Sequence, residues 1–461
     1  MNKKLFPILS AFLLLFSLIE KGQATETYRP ETSVAGFIQL PGSGRQVYNF
    51  NPGWRFFKGD IHGAESVDFD DRSWTIVSTP HTVELMPAEA SGCRNYQGPA
   101  WYRKHFVLPA ETKGKRVLIH FEAAMGKQVL YLNGKRIQEH VGGYLPFTLD
   151  LTTNGIQAGD SCLLAIFVDN SNDKSFPPGK PQYTLDFAYH GGIYRDVWMI
   201  AKSPVSITDP LDSQTVAGGG VFVHFDKISE KSAQVYVNTE LQNDNQHTET
   251  VTVETTLTDA DGKVIKRTSG KLSLKSGEKK IIRQQIEVKS PKLWSPDAPY
   301  LYKVQSRIKK GNQSIDGGIT RIGIRLAEFR GKDGFWLNGK PFVQLVGVNR
   351  HQDFAYVGNA LPNSQQWRDA KRLRDAGCTI IRVAHYPQDP SFMDACDELG
   401  MFVIVATPGW QYWNKDVKFG ELVHQNTREM IRRDRNHPSV LMWEPILNET
   451  RYPLDFALKA L

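Results

Sequence analysis

Residues 379–405 read TIIRVAHYPQDPSFMDACDELGMFVIV, and this stretch decides the fold of the C-terminal part of the chain. The apolar segments at its two ends predict two buried β-strands. Between them, Asp389 followed by Pro390 predicts the start of a helix, and Gly400 predicts its end. Continuous apolar strands that alternate with helices are typical of a parallel sheet with both faces covered.

The same alternation continues on both sides of this stretch. Residues 342–348 predict a preceding strand, and Ser364 predicts the N-terminal cap of the helix that follows it. Residues 421–433 predict a further helix, and residues 440–443 predict a fourth strand. Together these elements predict about the first half of a (β/α)8 TIM barrel in residues 326–461.

Two β-rich blocks precede the barrel. In residues 25–202, short apolar runs alternate with turn signals such as Asn133-Gly134, and this pattern predicts an all-β sandwich. The size and strand spacing of residues 203–325 predict an immunoglobulin-like β-sandwich. The expected fold class is therefore multidomain, with two β-sandwiches followed by a partial barrel.

Composition and charge exclude several classes of protein. The chain has 461 residues, of which 40% are hydrophobic, so most of it is too apolar to be disordered. Its net charge is +7, but the basic residues are scattered, so no nucleic-acid partner is expected. The four cysteines lack C-x-x-C spacing, which predicts buried free thiols rather than a zinc site or a redox pair.

The N-terminus predicts export. Lys3 and Lys4 precede an apolar stretch at residues 5–19, and residues 22–24 offer a small-residue cleavage site. Residues 1–24 are therefore predicted to be a signal peptide, and the mature protein is expected to be periplasmic or secreted, without a membrane span. A retained anchor is the alternative, but the stretch is short for a span of about 20 residues.

Polar and aromatic side chains gather where the four predicted barrel strands end. Because active groups of such barrels lie after the carboxyl ends of the strands, these side chains predict one shared site. Amides, imidazoles, a guanidinium, an indole and a carboxylate suit a neutral polyhydroxylated ligand, and neither a phosphate loop nor a metal-ligand spacing is present. The candidate residues are Asn349, His351, Arg382, His385, Trp410, Asn448 and Glu449.

The end of the chain carries a more specific motif. Residues 433–440 read RDRNHPSV, and together with Trp443 and Asn448-Glu449 they resemble the acid/base signature of glycoside hydrolase family 2, which includes β-galactosidases, β-glucuronidases and β-mannosidases. The resemblance extends over essentially the whole mature chain, in the order jelly roll, immunoglobulin-like sandwich and barrel. Residues 101–103 and 191–197 resemble the sugar-binding jelly roll of the family, and residues 347–351 and 382–387 resemble two further barrel motifs.

The resemblance implies a retaining, exo-acting β-glycosidase that hydrolyses a terminal β-linked sugar of an oligosaccharide or polysaccharide. It implies that Glu449 is the catalytic acid/base and that Asn448 binds the sugar 2-hydroxyl. The remaining candidates are implied to bind substrate: Arg382 and His385 position the sugar and the nucleophile, His351 and Asn349 line the pocket, and Trp410 forms a stacking wall.

Two local departures from the family pattern bear on these roles. Four residues rather than three separate Trp443 from Asn448, and one of them, Glu444, is a rival carboxylate that no Asn precedes. The third predicted strand ends at residues 405–408, which read VATP, rather than in an acidic residue. A magnesium site is therefore not supported, and no cofactor is expected. A homo-oligomer is compatible with the sequence.

The second catalytic carboxylate is not found in the sequence. The family takes its nucleophile from the seventh barrel strand, which is expected beyond Leu461, and Asp455 lies in a helix pattern as a solvated residue. Within the family, β-galactosidase is the favoured activity, and β-glucuronidase and β-mannosidase are the alternatives. An alternative of a different class is a non-catalytic, carbohydrate-binding remnant.

Overall fold

A computed structural model describes residues 31–32, 39–86, 95–213, 215–342 and 344–460. The predicted signal peptide, residues 1–24, lies outside the described residues, as does Cys93. No helix in the described ranges is long and apolar enough to cross a membrane.

The first unit is a sandwich of two antiparallel sheets, with strand orders β1-β2-β11-β6-β9 and β4-β3-β5-β10-β7-β8. Its strands are β1 (Glu31–Thr32), β2 (Gln46–Asn49), β3 (Trp54–Lys58), β4 (Thr75–Val77), β5 (Pro99–Val107), β6 (Arg116–Phe121), β7 (Gly126–Leu132), β8 (Lys135–Gly142), β9 (Phe147–Asp150), β10 (Ser161–Asp169) and β11 (Val197–Lys202). On β5, Tyr102 enters the core between the sheets with Trp54 and Phe121, whereas Trp101 packs beside Trp74 in a second cluster. Successive side chains of a strand point to opposite faces, so β5 is buried on both.

The second unit is also a sandwich, of two four-stranded antiparallel sheets. In one sheet β12, β13 and β17 surround β14, and the other has the order β16-β15-β18-β19. Val235, Leu257 and Val304 lie in the core between them. The strands are β12 (Val205–Ile207), β13 (Val221–Asp226), β14 (Ser232–Asn243), β15 (Glu249–Thr258), β16 (Val264–Leu274), β17 (Lys279–Lys289), β18 (Tyr302–Lys310) and β19 (Gln313–Ile322).

A small antiparallel sheet connects this sandwich to the barrel strands. It consists of β20 (Ala327–Phe329), β21 (Phe335–Leu337) and β22 (Lys340–Pro341). Phe335 packs with Trp294 of the second sandwich and Phe402 of the barrel in one apolar cluster. The connection is therefore part of a continuous core.

Four parallel strands, paired in chain order, form the barrel part of the described chain. The elements are β23 (Gly347–Arg350), α1 (Asn363–Asp375), β24 (Ile380–Val383), α2 (Pro390–Leu399), β25 (Phe402–Ala406), α3 (Val417–Asp434), β26 (Val440–Glu444) and α4 (Leu454–Ala460). Ile381 and Val403 of the sheet pack against Phe392 and Met393 of α2. The predicted fold class, two β-sandwiches and a partial TIM barrel, is confirmed, and Cys162, Cys378 and Cys396 are buried free thiols as expected.

The predicted ends of α2 are confirmed. The carboxylate of Asp389 accepts a hydrogen bond from the backbone N–H of Ser391 at 2.8 Å, and Pro390 occupies the first turn. Gly400 closes the helix at φ +73°, in the left-handed region that favours glycine. These helix-capping signals depend only on residues close in the chain, so the sequence alone is enough to predict them.

Three other predicted boundaries are wrong. The strand predicted at 342–348 is β23, which begins only at Gly347, because Phe342 turns into the aromatic cluster around Phe335 and Phe402. Ser364 does not cap α1. Pro362 holds the cap position without a side-chain hydrogen bond.

The third helix is also longer than predicted. It begins at Val417 rather than at 421, because Asp416 caps it by accepting from the N–H of Lys418 at 2.9 Å. Gly420 weakens the helix signal in the sequence. The structure explains this glycine by the Trp413 ring, which lies 3.3 Å from where a Cβ would stand.

Candidate active site

Arg382 connects two strand ends of the parallel sheet. It lies on β24, and its Nε and Nη2 atoms donate to the Glu444 carboxylate at 2.8 and 2.7 Å. Nη2 also donates to Asn448 Oδ1 at 2.9 Å. Both oxygens of Glu444 are thus bound by one guanidinium, and the amide of Asn448 is oriented with its Nδ2 group directed away from Arg382.

Stacked rings form one wall beside this ion pair. The His385 and Trp410 rings are parallel, with centroids 4.6 Å apart and an angle of 5° between the planes. Phe187 lies 4.6 Å from the His351 ring and 6.1 Å from the Trp410 ring. The Nδ1 atom of His351 is 3.2 Å from the hydroxyl of Tyr386. The wall therefore combines stacked aromatic rings with the hydrogen-bonding atoms of two imidazoles and a phenol.

Both imidazoles at the site are neutral near pH 7. Burial lowers the pKa of His385 to about 3, and the neighbouring charges of Arg382 and Lys180 act in the same direction. Burial also lowers the pKa of His351. The Nδ1 atom of His385 is buried and has no hydrogen-bond partner among the described residues. These groups can therefore orient a ligand by hydrogen bonding, without acting as cations.

Glu449 lies in the exposed loop between β26 and α4, with a backbone φ of +60°. Its Oε2 atom accepts a hydrogen bond from the side-chain amide of Gln411, whose backbone N–H donates to Thr450 Oγ1 at 2.8 Å. Asn349 lies opposite Arg382 in the parallel ladder, on the exposed part of β23. Asp455, by contrast, is exposed on α4.

Comparison with known proteins agrees with this arrangement. Residues 64–204 match the model of the sugar binding domain of glycosyl hydrolases family 2, residues 219–325 match a further model of that family, and residues 329–460 match its TIM barrel domain. The chain belongs to glycoside hydrolase family 2.

Three relatives indicate the range of glycoside hydrolase family 2 that the chain resembles. A β-galactosidase of Thermoanaerobacter pseudethanolicus is 36% identical over 90% of this chain and 53% of its own length. A β-glucuronidase of Formosa agariphila is 32% identical over 88% of this chain and 42% of its own. The crystal structure of a Bacteroides uniformis β-glucuronidase has a TM-score of 0.78 and 32% identity, covering 87% of this chain and 46% of that one. The chain spans about half the length of the curated relatives it matches.

The family 2 jelly roll contributes residues that the sequence did not predict to be near the site. The segment between β10 and β11 brings Lys180, Asp186 and Phe187 to the barrel loops, where Asp186 interacts electrostatically with His351. Neither spacing nor periodicity marks these residues, because their place depends on how two domains pack. Gln411 was also missed, although it directly follows Trp410.

The same two domains share a core beneath the site. Tyr144 of the jelly roll stacks on Tyr386 of the barrel, with centroids 4.0 Å apart. Arg195 is fully buried and donates to the carbonyl oxygen of Pro387 at 2.9 Å and to Gln352 at 3.1 Å. The jelly-roll motif that resembles the family therefore fixes the loop that carries His385.

The groups around Glu449 do not fit a magnesium ion. Mg²⁺ prefers carboxylate and carbonyl oxygens. The Oε2 atom of Glu449 instead faces an amide N–H of Gln411, and the ammonium group of Lys180 lies on the far side of that amide. Strand β25 is followed by Thr407-Pro408, which adds no carboxylate.

Proposed function

We propose that the protein is a retaining, exo-acting β-glycosidase whose catalytic acid/base is Glu449. The observation that carries the proposal is the Asn448–Glu449 pair after the fourth barrel strand, with Asn448 oriented by Arg382 beside a wall of stacked rings. Membership of glycoside hydrolase family 2 supports the reaction class.

The reaction needs an acid on the leaving oxygen and a nucleophile on the opposite side of the anomeric carbon. In the first step, Glu449 gives its proton to the glycosidic oxygen while a second carboxylate displaces that oxygen. In the second step, Glu449 takes a proton from the water that opens the glycosyl-enzyme. The second carboxylate is proposed to come from a part of the protein outside this chain, in keeping with its half-length coverage of the relatives.

Contacts at the site support the proposed substrate-binding roles. The Nδ2 group of Asn448, which is directed away from Arg382, is proposed to donate to the sugar 2-hydroxyl. His385, His351 and Asn349 are proposed to bind further hydroxyls, with Trp410 packing beside the sugar and Arg382 setting the geometry. β-Galactosidase is the favoured activity, since relatives that are 36% and 34% identical carry that name, while a β-glucuronidase is 32% identical. A β-mannosidase is the third candidate.

A panel of aryl β-galactoside, β-glucuronide and β-mannoside tests the proposal with the full-length protein. We expect hydrolysis of one aryl sugar, the β-galactoside first, and a loss of at least about 100-fold in kcat/KM for Glu449→Gln, because a general acid contributes about 10²–10⁴-fold. Asp455→Asn changes an exposed carboxylate six positions away in the chain and is expected to keep wild-type rates.

Two outcomes would contradict the proposal. Wild-type rates in Glu449→Gln would remove Glu449 as the acid/base. Binding of sugars without hydrolysis of any member of the panel would support the non-catalytic, carbohydrate-binding alternative.

We also propose that the protein is exported to the periplasm or the medium through the signal peptide at residues 1–24. The charged start, the apolar segment and the small residues before Thr25 support this. N-terminal sequencing of the mature protein from each cell fraction tests it, and a retained Met1 in the cytoplasm would contradict it.

A further inference from the structure

A lysine of the jelly roll reaches the proposed acid/base through one glutamine of the barrel. Lys180 is 8% exposed, and its Nζ lies 4.2 Å from the centre of the Trp410 ring. This ammonium donates to Oε1 of Gln411, and Nε2 of Gln411 donates to Oε2 of Glu449. The three side chains form a continuous chain of hydrogen bonds from one domain to the other.

The chemistry of the two end groups fixes the orientation of the amide between them. An ammonium group only donates hydrogen bonds, and an ionised carboxylate only accepts them. If the Gln411 amide were flipped, its NH₂ would face the Lys180 ammonium and its oxygen would face the Glu449 carboxylate. Both contacts would then be repulsive, so Lys180 determines that Gln411 presents an N–H to Glu449.

The loop that carries Lys180 is held against the barrel on both sides. On one side, the carbonyl oxygen of Lys174 accepts from Nδ2 of Asn414 at 2.7 Å. On the other, Gly179 packs so closely on the Tyr412 ring that a Cβ at this position would lie 2.5 Å from it. The ammonium group is thus presented by a fixed segment rather than by a free surface loop.

We propose that Lys180 is a positioning residue for acid catalysis, acting on Glu449 through Gln411. The inference rests on the proposed function. When Glu449 transfers its proton to the glycosidic oxygen, the C–O bond to the aglycone breaks and Glu449 is left as a carboxylate. The N–H of Gln411, polarised by Lys180, stabilises that carboxylate where it forms. Because Oε2 accepts this hydrogen bond, the transferred proton is carried by Oε1.

This role predicts a dependence on the leaving group. Phenoxide is a poor leaving group and needs to be protonated as it departs, whereas 2,4-dinitrophenolate leaves without protonation. In the full-length protein, Lys180→Met is expected to lower kcat/KM by about 10-fold for the phenyl glycoside, a fraction of a general acid's full contribution, and by less than about 2-fold for the dinitrophenyl glycoside. Lys174→Met, on the same loop, is the control and is expected to match the wild type for both.

A second variant isolates the hydrogen bond to Glu449. In Gln411→Glu the new carboxylate still accepts from Lys180 but cannot donate to Glu449. We expect the same selective loss for the phenyl glycoside. We also expect the alkaline limb of the kcat/KM pH profile to move to higher pH, since a neighbouring like charge disfavours ionisation. If Lys180→Met does not fold, Gln411→Glu alone tests the inference.

Glu449→Gln, measured on both aglycones, separates failure of this inference from failure of the proposed function. If Glu449→Gln loses far more activity on the phenyl glycoside but the Lys180 and Gln411 variants lose equally on both aglycones, or lose nothing, the inference is wrong. If Glu449→Gln itself shows no preference between the aglycones, Glu449 is not the acid and the proposed function fails first.

Discussion

Arg382 binds two side chains that follow it by 62 and 66 positions in the chain, Glu444 and Asn448. Its planar guanidinium donates two hydrogen bonds to the carboxylate of Glu444 and a third to the side-chain amide oxygen of Asn448. Glu444, the rival carboxylate of the sequence, is therefore engaged as an ion-pair partner. The family resemblance named Arg382 and Asn448, but the bond between them required the three-dimensional structure.

Arg382→Lys tests this geometry. Lysine keeps the charge, but one ammonium group cannot bind both Glu444 oxygens and Asn448 in the same arrangement. We expect kcat/KM on the preferred aryl glycoside to fall by about 10–100-fold, because small displacements of positioned groups have effects of that size. Arg428→Lys, on the exposed side of α3, is the matched control. Equal activity of the two variants would show that the fork geometry is not required.

At the scale of elements, the boundaries of helices and strands were predicted correctly from the sequence where the signal was local. Asp389, Pro390 and Gly400 fix both ends of α2 by contacts within a few residues, so they were predicted correctly. The apolar run at 342–348 carried no such information, because an apolar side chain packs equally well in a strand or in the cluster that takes Phe342. Ser364 failed as a cap for a similar reason. Its neighbour Asn363 binds Asp196 of the jelly roll at 2.9 Å.

Two helix caps provide a comparison. Asp389 and Asp416 each accept a backbone N–H at the start of a helix, but Asp389 is buried, with its carboxylate 3.7 Å from the guanidinium of Arg195. We expect Asp416→Ala to lower the free energy of unfolding by about 1 kcal/mol. Asp389→Ala should cost about 3 kcal/mol, since it also leaves a buried arginine short of its counter-charge. Denaturant titration of both variants measures the difference, and equal losses would exclude the contribution of Arg195.

At the scale of the whole molecule, the order of the three domains could be predicted from motifs, but the contacts at the interfaces between them could not. Residues 433–440 resemble a catalytic signature, yet several of them hold the immunoglobulin-like sandwich to the barrel. Asn436 accepts from the N–H of Val223 at 2.9 Å and donates to the carbonyl oxygen of Val221 at 2.8 Å, and so binds the backbone of β13. A motif records that residues recur together, and does not distinguish those that contact substrate from those that join domains.

We expect His437 to make the stability of the interface between the immunoglobulin-like sandwich and the barrel depend on pH. Its Nδ1 lies 2.6 Å from one carboxylate oxygen of Asp397, and the other oxygen accepts a hydrogen bond from the backbone N–H of Ser439. Nearby, Asp394 forms an ion pair at 2.5 Å with Arg321 of the second sandwich. Burial alone would lower the pKa of His437, but the charge of Asp397 and its hydrogen bond outweigh burial and raise it to about 9.

The raised pKa gives a stability prediction with a definite sign. The ion pair contributes fully below about pH 6.5, the value for an unfolded histidine, and its contribution is lost as the pH rises through about 9. We expect the free energy of unfolding to fall over that window by an amount of the order of 3 kcal/mol, and this component to be absent in His437→Asn. Denaturant titrations at several pH values measure both proteins, and parallel curves would show that His437 does not titrate in this way.

The jelly-roll segment that carries Lys180 and Phe187 has a consequence for how such proteins diversify. These residues beside the proposed site are encoded at least 160 positions before the barrel strands begin, at Gly347. A chimaera joined at the boundary between the first two domains would therefore exchange Lys180 and Phe187, even if every barrel residue were retained. Recombination, natural or engineered, therefore preserves the contacts of Lys180 with Trp410 and of Phe187 with His351 only when the jelly roll and the barrel are exchanged together.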